Sequence, residues 1–196
     1  MKNIYLVRHG ESEFNKKKIF AGWSDCLLTE EGKRQAVDLR KTIDDLEIDV
    51  VYSSDLSRAK VTAEILNENK KRNHIVSKEL REVYFGEWEG IDFERIEKEY
   101  SEVKDSWFKD YFHFTYPGGE SMADMFERTK KYFDESIMTR EENNILIVAH
   151  AGVISSMISY LLFGNLELSD HFNIKNCTLT HIKMIDHMNY LEYFNK

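Results

Sequence analysis

Apolar positions in this chain follow two rhythms. Ile4-Tyr5-Leu6-Val7 and Ile145-Leu146-Ile147-Val148 are short continuous runs, the signature of a strand covered on both faces. Between such runs, apolar residues recur every three or four positions. Ala36, Leu39, Ile43 and Leu46 follow Thr29, a suitable N-cap, and Ala59, Ala63 and Leu66 follow Asp55 or Ser57. Met122, Met125, Phe126, Thr129, Phe133 and Ile137 follow Ser121, predicting one long helix. Val153, Ile154, Met157, Ile158, Leu161 and Leu162 predict another directly after the strand Asn144–Ala149. Weaker runs at Asp49–Ser53 and Ile75–Ser77 predict two further strands, and Thr178–Ile185 with Tyr190–Tyr193 predicts a closing hairpin around Asp186 to Asn189. Residues 92–114, rich in charge and aromatics, read as one or two short helices.

Strands alternating with helices imply an α/β fold, a three-layer αβα sandwich whose mostly parallel central sheet carries helices on both faces. No internal repeat or low-complexity linker divides the chain, and 196 residues suffice for one domain. Residues 91–117 are expected to form a covering segment over the sheet edge. Such sheets bind ligands beyond the carboxyl ends of their strands. Two histidines fall there: His9, in Arg8-His9-Gly10 after the first strand, and His150 after Asn144–Ala149. A core histidine belongs inside an element rather than twice at the lip of a sheet. Arg58, one turn into the helix after the second strand, and Glu82, in the loop after the third, fall on the same edge. Taken singly, Arg8 with His9 could end a surface strand, Arg58 could be an exposed helix residue and Glu82 a solvated loop residue.

Composition narrows the partners. A formal net charge of -8 argues against a nucleic-acid surface, and an anionic substrate would need a locally positive pocket to overcome that field. Cys26 and Cys177 are too few for a disulfide framework and read as reduced thiols of a cytoplasmic protein. The chain opens on a strand, so no signal peptide is expected, and its longest apolar stretch is too short to span a bilayer. There is no HExxH, no Gly-x-x-x-x-Gly-Lys loop and no Gly-x-Ser-x-Gly elbow. Asp170-His171 and Asp186-His187 read as surface features rather than ligands, and so do His74, His113 and His181. These residues offer no metal-ligand or cofactor motif.

The chain resembles the histidine phosphatase superfamily, the phosphoglycerate-mutase-like fold, over nearly its whole length. The resemblance rests on Arg8-His9-Gly10-Glu11-Ser12 with Asn15, Gly22-Trp23-Ser24-Asp25, Leu28-Thr29-Glu30-Glu31-Gly32, Ser53-Ser54-Asp55-Leu56-Ser57-Arg58-Ala59, Leu80-Arg81-Glu82, Pro117-Gly118-Gly119-Glu120-Ser121 and Val148-Ala149-His150-Ala151-Gly152, in that order. It implies that His9 is the nucleophile of a covalent phosphohistidine, that Arg8, Arg58 and His150 bind the phosphoryl oxygens, and that Glu82 is the leaving-group acid. It further implies substrate-binding positions at Ser12, Asn15, Gly22 and Ala151, and chemistry without a metal.

Three activities fit this pattern: a phosphomonoester hydrolase, a phosphoglycerate mutase using the same phosphohistidine, and a non-catalytic protein that binds phosphorylated ligands. The mutases of the family carry an adjacent arginine pair in the covering segment. Here that segment holds only Arg95, Lys98, Lys104 and Lys109 as basic residues and is rich in aromatics, which favours the hydrolase. A binding protein would need only the arginines, yet His9, Glu82 and His150 are all present. Phe85-Gly86-Glu87-Trp88-Glu89-Gly90 and Tyr116-Pro117-Gly118-Gly119 resemble the branch that includes α-ribazole-5′-phosphate phosphatases and broad-specificity phosphatases. The expected partner is a small phosphorylated metabolite, with no nucleic acid or membrane, and a homodimer is left open.

Overall fold

A computed structural model describes every residue except His187, and every side chain but that one and Lys104. Six strands form one sheet: β1 (Lys2–Arg8), β2 (Val50–Ser54), β3 (Asn73–Ser77), β4 (Asn144–Ala149), β5 (Leu179–Ile185) and β6 (Met188–Tyr193). Their order is β3-β2-β4-β1-β5-β6. The first four run parallel, while β5 and β6 form an antiparallel margin. The helices are α1 (Glu13–Lys17), α2 (Glu30–Asp44), α3 (Ser57–Asn67), α4 (Phe93–Glu99), α5 (Ser101–Lys109), α6 (Met122–Tyr132) and α7 (Ala151–Phe163).

The continuous apolar runs are explained by burial on both faces. Along β1, Ile4 and Leu6 join one core while Tyr5 and Val7 join the other, and β4 divides Ile145, Ile147 and Ala149 from Leu146 and Val148 in the same way. One core is closed by Ala36, Leu39 and Ile43 of α2 with Ala63 and Leu66 of α3. The other is closed by Met122 and Met125 of α6 with Val153, Ile154, Met157, Ile158 and Leu161 of α7. The expected three-layer sandwich is the observed one.

Side-chain caps start α1, α2, α4 and α6, whereas α3, α5 and α7 begin without one. The Thr29 side chain accepts from the Gly32 N–H, and Ser121 forms a reciprocal capping box with Asp124. At α3 neither Asp55 nor Ser57 is the cap. Leu56 holds that position without a side-chain bond, and Asp25, distant in sequence, takes the Ser57 N–H at 2.8 Å. The helix after Ser121 is also not uniform to Ile137. It ends as α-helix at Tyr132 and continues as a π-helical turn over Phe133–Ile137, closed by Met138 N–H to Phe133 C=O at 2.8 Å.

The bland readings of the outlying histidines divide. Asp170 with His171 and Asp110 with His113 are exposed local pairs. His74 is half-buried, with its Nε2 2.8 Å from the Ser53 hydroxyl. His181 is not a surface residue: it is buried in β5, stacked on Tyr5 at 4.4 Å. The reading of Asp186-His187 rests on a residue outside those described. Both cysteines are free and buried. Among the described residues no helix is long and apolar enough to cross a membrane.

Residues 91–117, expected to cover the site, pack mainly against the core. Their aromatics gather around Trp88, which is fully buried and lies 5.8 Å from Tyr100, 5.2 Å from Trp107, 5.7 Å from Phe114 and 5.2 Å from Tyr116 by ring centroid. Trp107 donates its indole N–H to the Tyr116 hydroxyl at 3.1 Å, satisfying both polar groups inside the cluster. Through Trp88 the segment joins the same core as Ile4, Met122 and Ile154.

Candidate active site

Strand register brings the two histidines together. β1 pairs with β4 so that Arg8 lies opposite Ala149, which makes His9 and His150 the next residues of adjacent parallel strands. The His9 N–H donates to the Ala149 carbonyl at 3.0 Å, and the two rings meet edge to face with centroids 5.2 Å apart. β2 lies on the other side of β4, and α3, which follows it, delivers Arg58. β3 lies beyond β2, and the loop after it delivers Glu82. Glu82 reaches the same edge by accepting the Gly152 N–H, near the start of α7, on Oε2 at 3.0 Å and the Val83 N–H on Oε1 at 3.0 Å. A Cβ at Gly152 would stand 2.5 Å from Glu82 Oε1, so this approach requires glycine.

Arg8, His9, Asn15, Gly22, Arg58, Glu82 and His150 line one cavity of about 240 Å³. Lys18, Ile19, Phe20, Ala21 and Phe85 complete its wall. Among the described residues, none of 91–117 lines it; its aromatic side is Phe20 and Phe85, whose rings meet at 4.9 Å. Ser12 and Ala151 do not line it either. The Ser12 hydroxyl caps α1 by taking the Asn15 N–H at 3.2 Å, while the Asn15 side chain takes the Ser12 N–H at 3.1 Å. Ser12 therefore holds Asn15 in place, and Ala151 is the first residue of α7.

His9 Nδ1 is 2.7 Å from the Gly10 carbonyl, which can only accept, so Nδ1 carries the proton and Nε2 keeps its lone pair. The backbone behind the ring is held by Asn176, which donates to the His9 carbonyl at 2.8 Å. Burial first, then the Arg58 and Arg8 guanidiniums, hold the His9 pKa well below the ordinary 6.5. Burial likewise comes first for His150, followed by Arg58, His9, Arg8 and Arg128. Both imidazoles are neutral in this state.

The polar atoms around them are underused. Both ring nitrogens of His150 and the Nε atoms of Arg8 and Arg58 are buried with no hydrogen-bond partner among the described residues. Buried donors of this kind are costly unless a ligand engages them. Arg8 is held from behind by the Ile174 carbonyl at 2.7 Å. A dianion placed among these groups would satisfy the orphaned donors and offset the repulsion between Arg8 and Arg58. It would also favour protonated His150, which gains a second charge-assisted donor when the ligand arrives.

A stability effect follows. Each histidine buried neutral is protonated in the unfolded chain below about pH 6.5 but not in the folded one, so the unfolded state binds more protons and stability falls as pH falls. The slope is roughly 1 kcal/mol per pH unit for each such group. Thermal unfolding of ligand-free protein is therefore expected to show a melting temperature declining below about pH 6.5, with the decline reduced in a His150→Ala variant. The same decline in that variant would show that His150 is not held neutral.

Several residues that shape the site escape local sequence reasoning. Trp23 donates its indole N–H to the Glu82 carbonyl at 2.8 Å and lies beneath Arg81 at 4.8 Å and Arg128 at 5.8 Å. Arg128 also donates to the Glu79 and Arg81 carbonyls and pairs with Glu120 at 2.8 Å, while Arg81 grips Asp55 through two bonds of 2.8 and 2.7 Å. Trp23 and Arg81 stand inside the motif blocks, but their partners are set by long-range packing.

A model of the histidine phosphatase superfamily (branch 1) matches residues 4–196. Phosphoserine phosphatase 1 of Hydrogenobacter thermophilus is 30% identical over 195 residues, covering 100% of this chain and 92% of that protein. The 2,3-bisphosphoglycerate-dependent phosphoglycerate mutase of Parvibaculum lavamentivorans is 33% identical over 165 residues, covering 81% of this chain and 79% of that one. The crystal structure of the alpha-ribazole phosphatase from Shigella flexneri superposes with a TM-score of 0.93 at 28% identity, covering 99% of this chain and 96% of that chain.

Proposed function

The chain belongs to branch 1 of the histidine phosphatase superfamily, as an enzyme of that type, and on this premise we propose that it hydrolyses a small phosphomonoester through a phosphohistidine on His9. The observation that carries the reading is His9 itself, with Nδ1 committed to the Gly10 carbonyl and Nε2 left as a nucleophile, in a cavity shared with Arg8, Arg58, His150 and Glu82. In the first step Nε2 bonds to phosphorus and the ester oxygen leaves with a proton from Glu82. In the second, a water gives its proton to Glu82 and attacks the phosphohistidine, releasing inorganic phosphate and freeing Nε2. Arg8, Arg58 and His150 stabilise the equatorial oxygens in both steps, where charge is spread over the transferring group.

Hydrolysis is favoured over mutase chemistry by how most of the neighbouring cations are used, Lys18 on the cavity wall standing outside any ion pair among the described residues. A mutase must also hold the carboxylate or second phosphate of its substrate. Arg81 and Arg128, which border the site, are tied to Asp55 and Glu120. In the covering segment Arg95 pairs with Glu99 on the surface. The same cavity is lined by Phe20 and Phe85, which suits a leaving group bearing a flat ring, as in α-ribazole-5′-phosphate. The test is a release assay with α-ribazole-5′-phosphate, phosphoserine, 3-phosphoglycerate and sugar phosphates, run with and without 2,3-bisphosphoglycerate and with a chelator throughout. Chelator-resistant phosphate release without bisphosphoglycerate, strongest on the ring-bearing ester, is expected. Interconversion of phosphoglycerates that needs bisphosphoglycerate, without net hydrolysis, would establish the mutase instead.

A further inference from the structure

The loop between α1 and α2 holds Arg58 in an unusual manner. Arg58 is 1% exposed, yet among the described residues no carboxylate pairs with it. Its guanidinium donates from Nη2 to the Gly22 carbonyl at 2.6 Å and from Nη1 to the Ser24 carbonyl at 3.0 Å. Carbonyls direct the group without cancelling its charge, so the charge remains available to a phosphoryl oxygen. The direction is only as firm as the turn that carries those carbonyls.

That turn is pinned by Glu89, from the loop before α4. Its Oε1 accepts the Trp23 N–H at 2.6 Å and its Oε2 accepts the Ser24 hydroxyl at 2.5 Å. Gly22 has a φ of +43°, and a Cβ there would collide with Glu89 Oε1, so turn and carboxylate are shaped to one another. Among the described residues Glu89 makes no ion pair; both bonds go to the turn. Asp25 secures the far end by taking the Ser57 N–H and hydroxyl at 2.8 and 2.5 Å, which locks the turn to the start of α3, the helix that carries Arg58.

We propose that Glu89 is a positioning residue for phosphoryl binding: by holding Trp23 and Ser24 it fixes the Gly22 and Ser24 carbonyls that aim Arg58. This rests on the reading of Arg58 as a phosphoryl ligand. Glu89 does not line the cavity and acts only through the turn.

The test measures inhibition by orthovanadate, a phosphoryl analogue, in the full-length enzyme, with Glu89→Ala and Glu89→Gln each made in the parent and in an Arg58→Ala background. Glu89→Ala in the parent is expected to weaken vanadate binding about tenfold to a hundredfold, since small misplacements of a binding group cost that much. Glu89→Gln is expected to stay within about threefold, because its amide oxygen can take the Trp23 N–H while its NH2 donates to the Ser24 hydroxyl. In the Arg58→Ala background Glu89→Ala is expected to add nothing, the non-additivity of two groups acting as one. If Glu89→Ala does not fold, Ser24→Ala, which removes one of the two bonds, is measured in the same two backgrounds with the same pattern expected. An equal loss in both backgrounds, or no loss in the parent, overturns the link between Glu89 and Arg58. Vanadate binding unchanged by Arg58→Ala would instead overturn the reading of the site on which the link rests.

Discussion

His9→Ala is expected to abolish turnover and covalent phosphoryl labelling together, while the folded protein still binds vanadate or phosphate. The two effects separate because the phosphoryl ligands do not depend on the imidazole. Arg8 is held by Ile174, and Arg58 by Gly22 and Ser24. What is lost is the lone pair on Nε2, and with it the two-step route. Removing a nucleophile from a preorganised site costs on the order of a million-fold in turnover and leaves only positioning and charge stabilisation. The measurements are steady-state release and acid quench of enzyme mixed with labelled ester. The parent should give a phosphoprotein that is labile to acid and stable to base, and the variant none. An acid-labile phosphoprotein in His9→Ala would move the nucleophile elsewhere, with His150 the first place to look.

Folding stability adds a control to that experiment. The His9 ring fills space at the end of β1 and is 3% exposed, so its removal opens a small cavity. The same change removes one neutral buried histidine, and with it part of the loss of stability in acid. Near neutral pH the protonation contribution vanishes and only the cavity remains, so His9→Ala is assayed there, at a temperature where both proteins are folded.

The contrast between what was legible along the chain and what was not follows from range. His9 and His150 could be matched from sequence because each ends a strand buried on both faces, and parallel pairing of such strands aligns their ends. Thr29 and Ser121 were legible as caps because their partners lie three residues on. Asp25 capping α3, Glu89 holding the turn before it and Trp23 under two arginines were not, since nothing local specifies them. The aromatics of 91–117 show the same limit in part: a run of rings announces burial, as their packing on Trp88 bears out, but does not name the residue that gathers them. His181 was read as a surface residue because a lone histidine on a margin strand carries no signal that Tyr5 will stack on it. Arginine function showed a similar limit. Arg58 and Arg81 both stand in motif blocks, and only the carboxylate of Asp55 opposite Arg81 separates the ion-paired guanidinium from the one that, among the described residues, has no carboxylate partner.

Glu82→Gln is expected to slow phosphoryl transfer to His9, read as kcat/KM, by about a hundredfold to ten-thousandfold for alkyl phosphomonoesters and by less than about tenfold for aryl esters such as p-nitrophenyl phosphate. An alkoxide cannot leave without a proton, whereas a nitrophenolate can, so only the first substrate needs an acid at that position. The variant is not structurally silent. Both oxygens of Glu82 accept backbone N–H groups, from Gly152 and Val83, and a glutamine must turn its NH2 toward one of them. That places donor against donor and disturbs the loop, with consequences for the Trp23 bond to the Glu82 carbonyl. Any such disturbance is common to both substrates and cancels in the ratio of their rates, which is why the ratio rather than either rate is the measurement. Phosphoryl transfer to His9 should persist on the aryl ester, and the phosphoenzyme should then accumulate, because the second step has lost the group that takes the proton from water. Equal losses on the two esters, with no accumulation, would remove Glu82 from the leaving-group role and leave it as a brace between the loop after β3 and the start of α7.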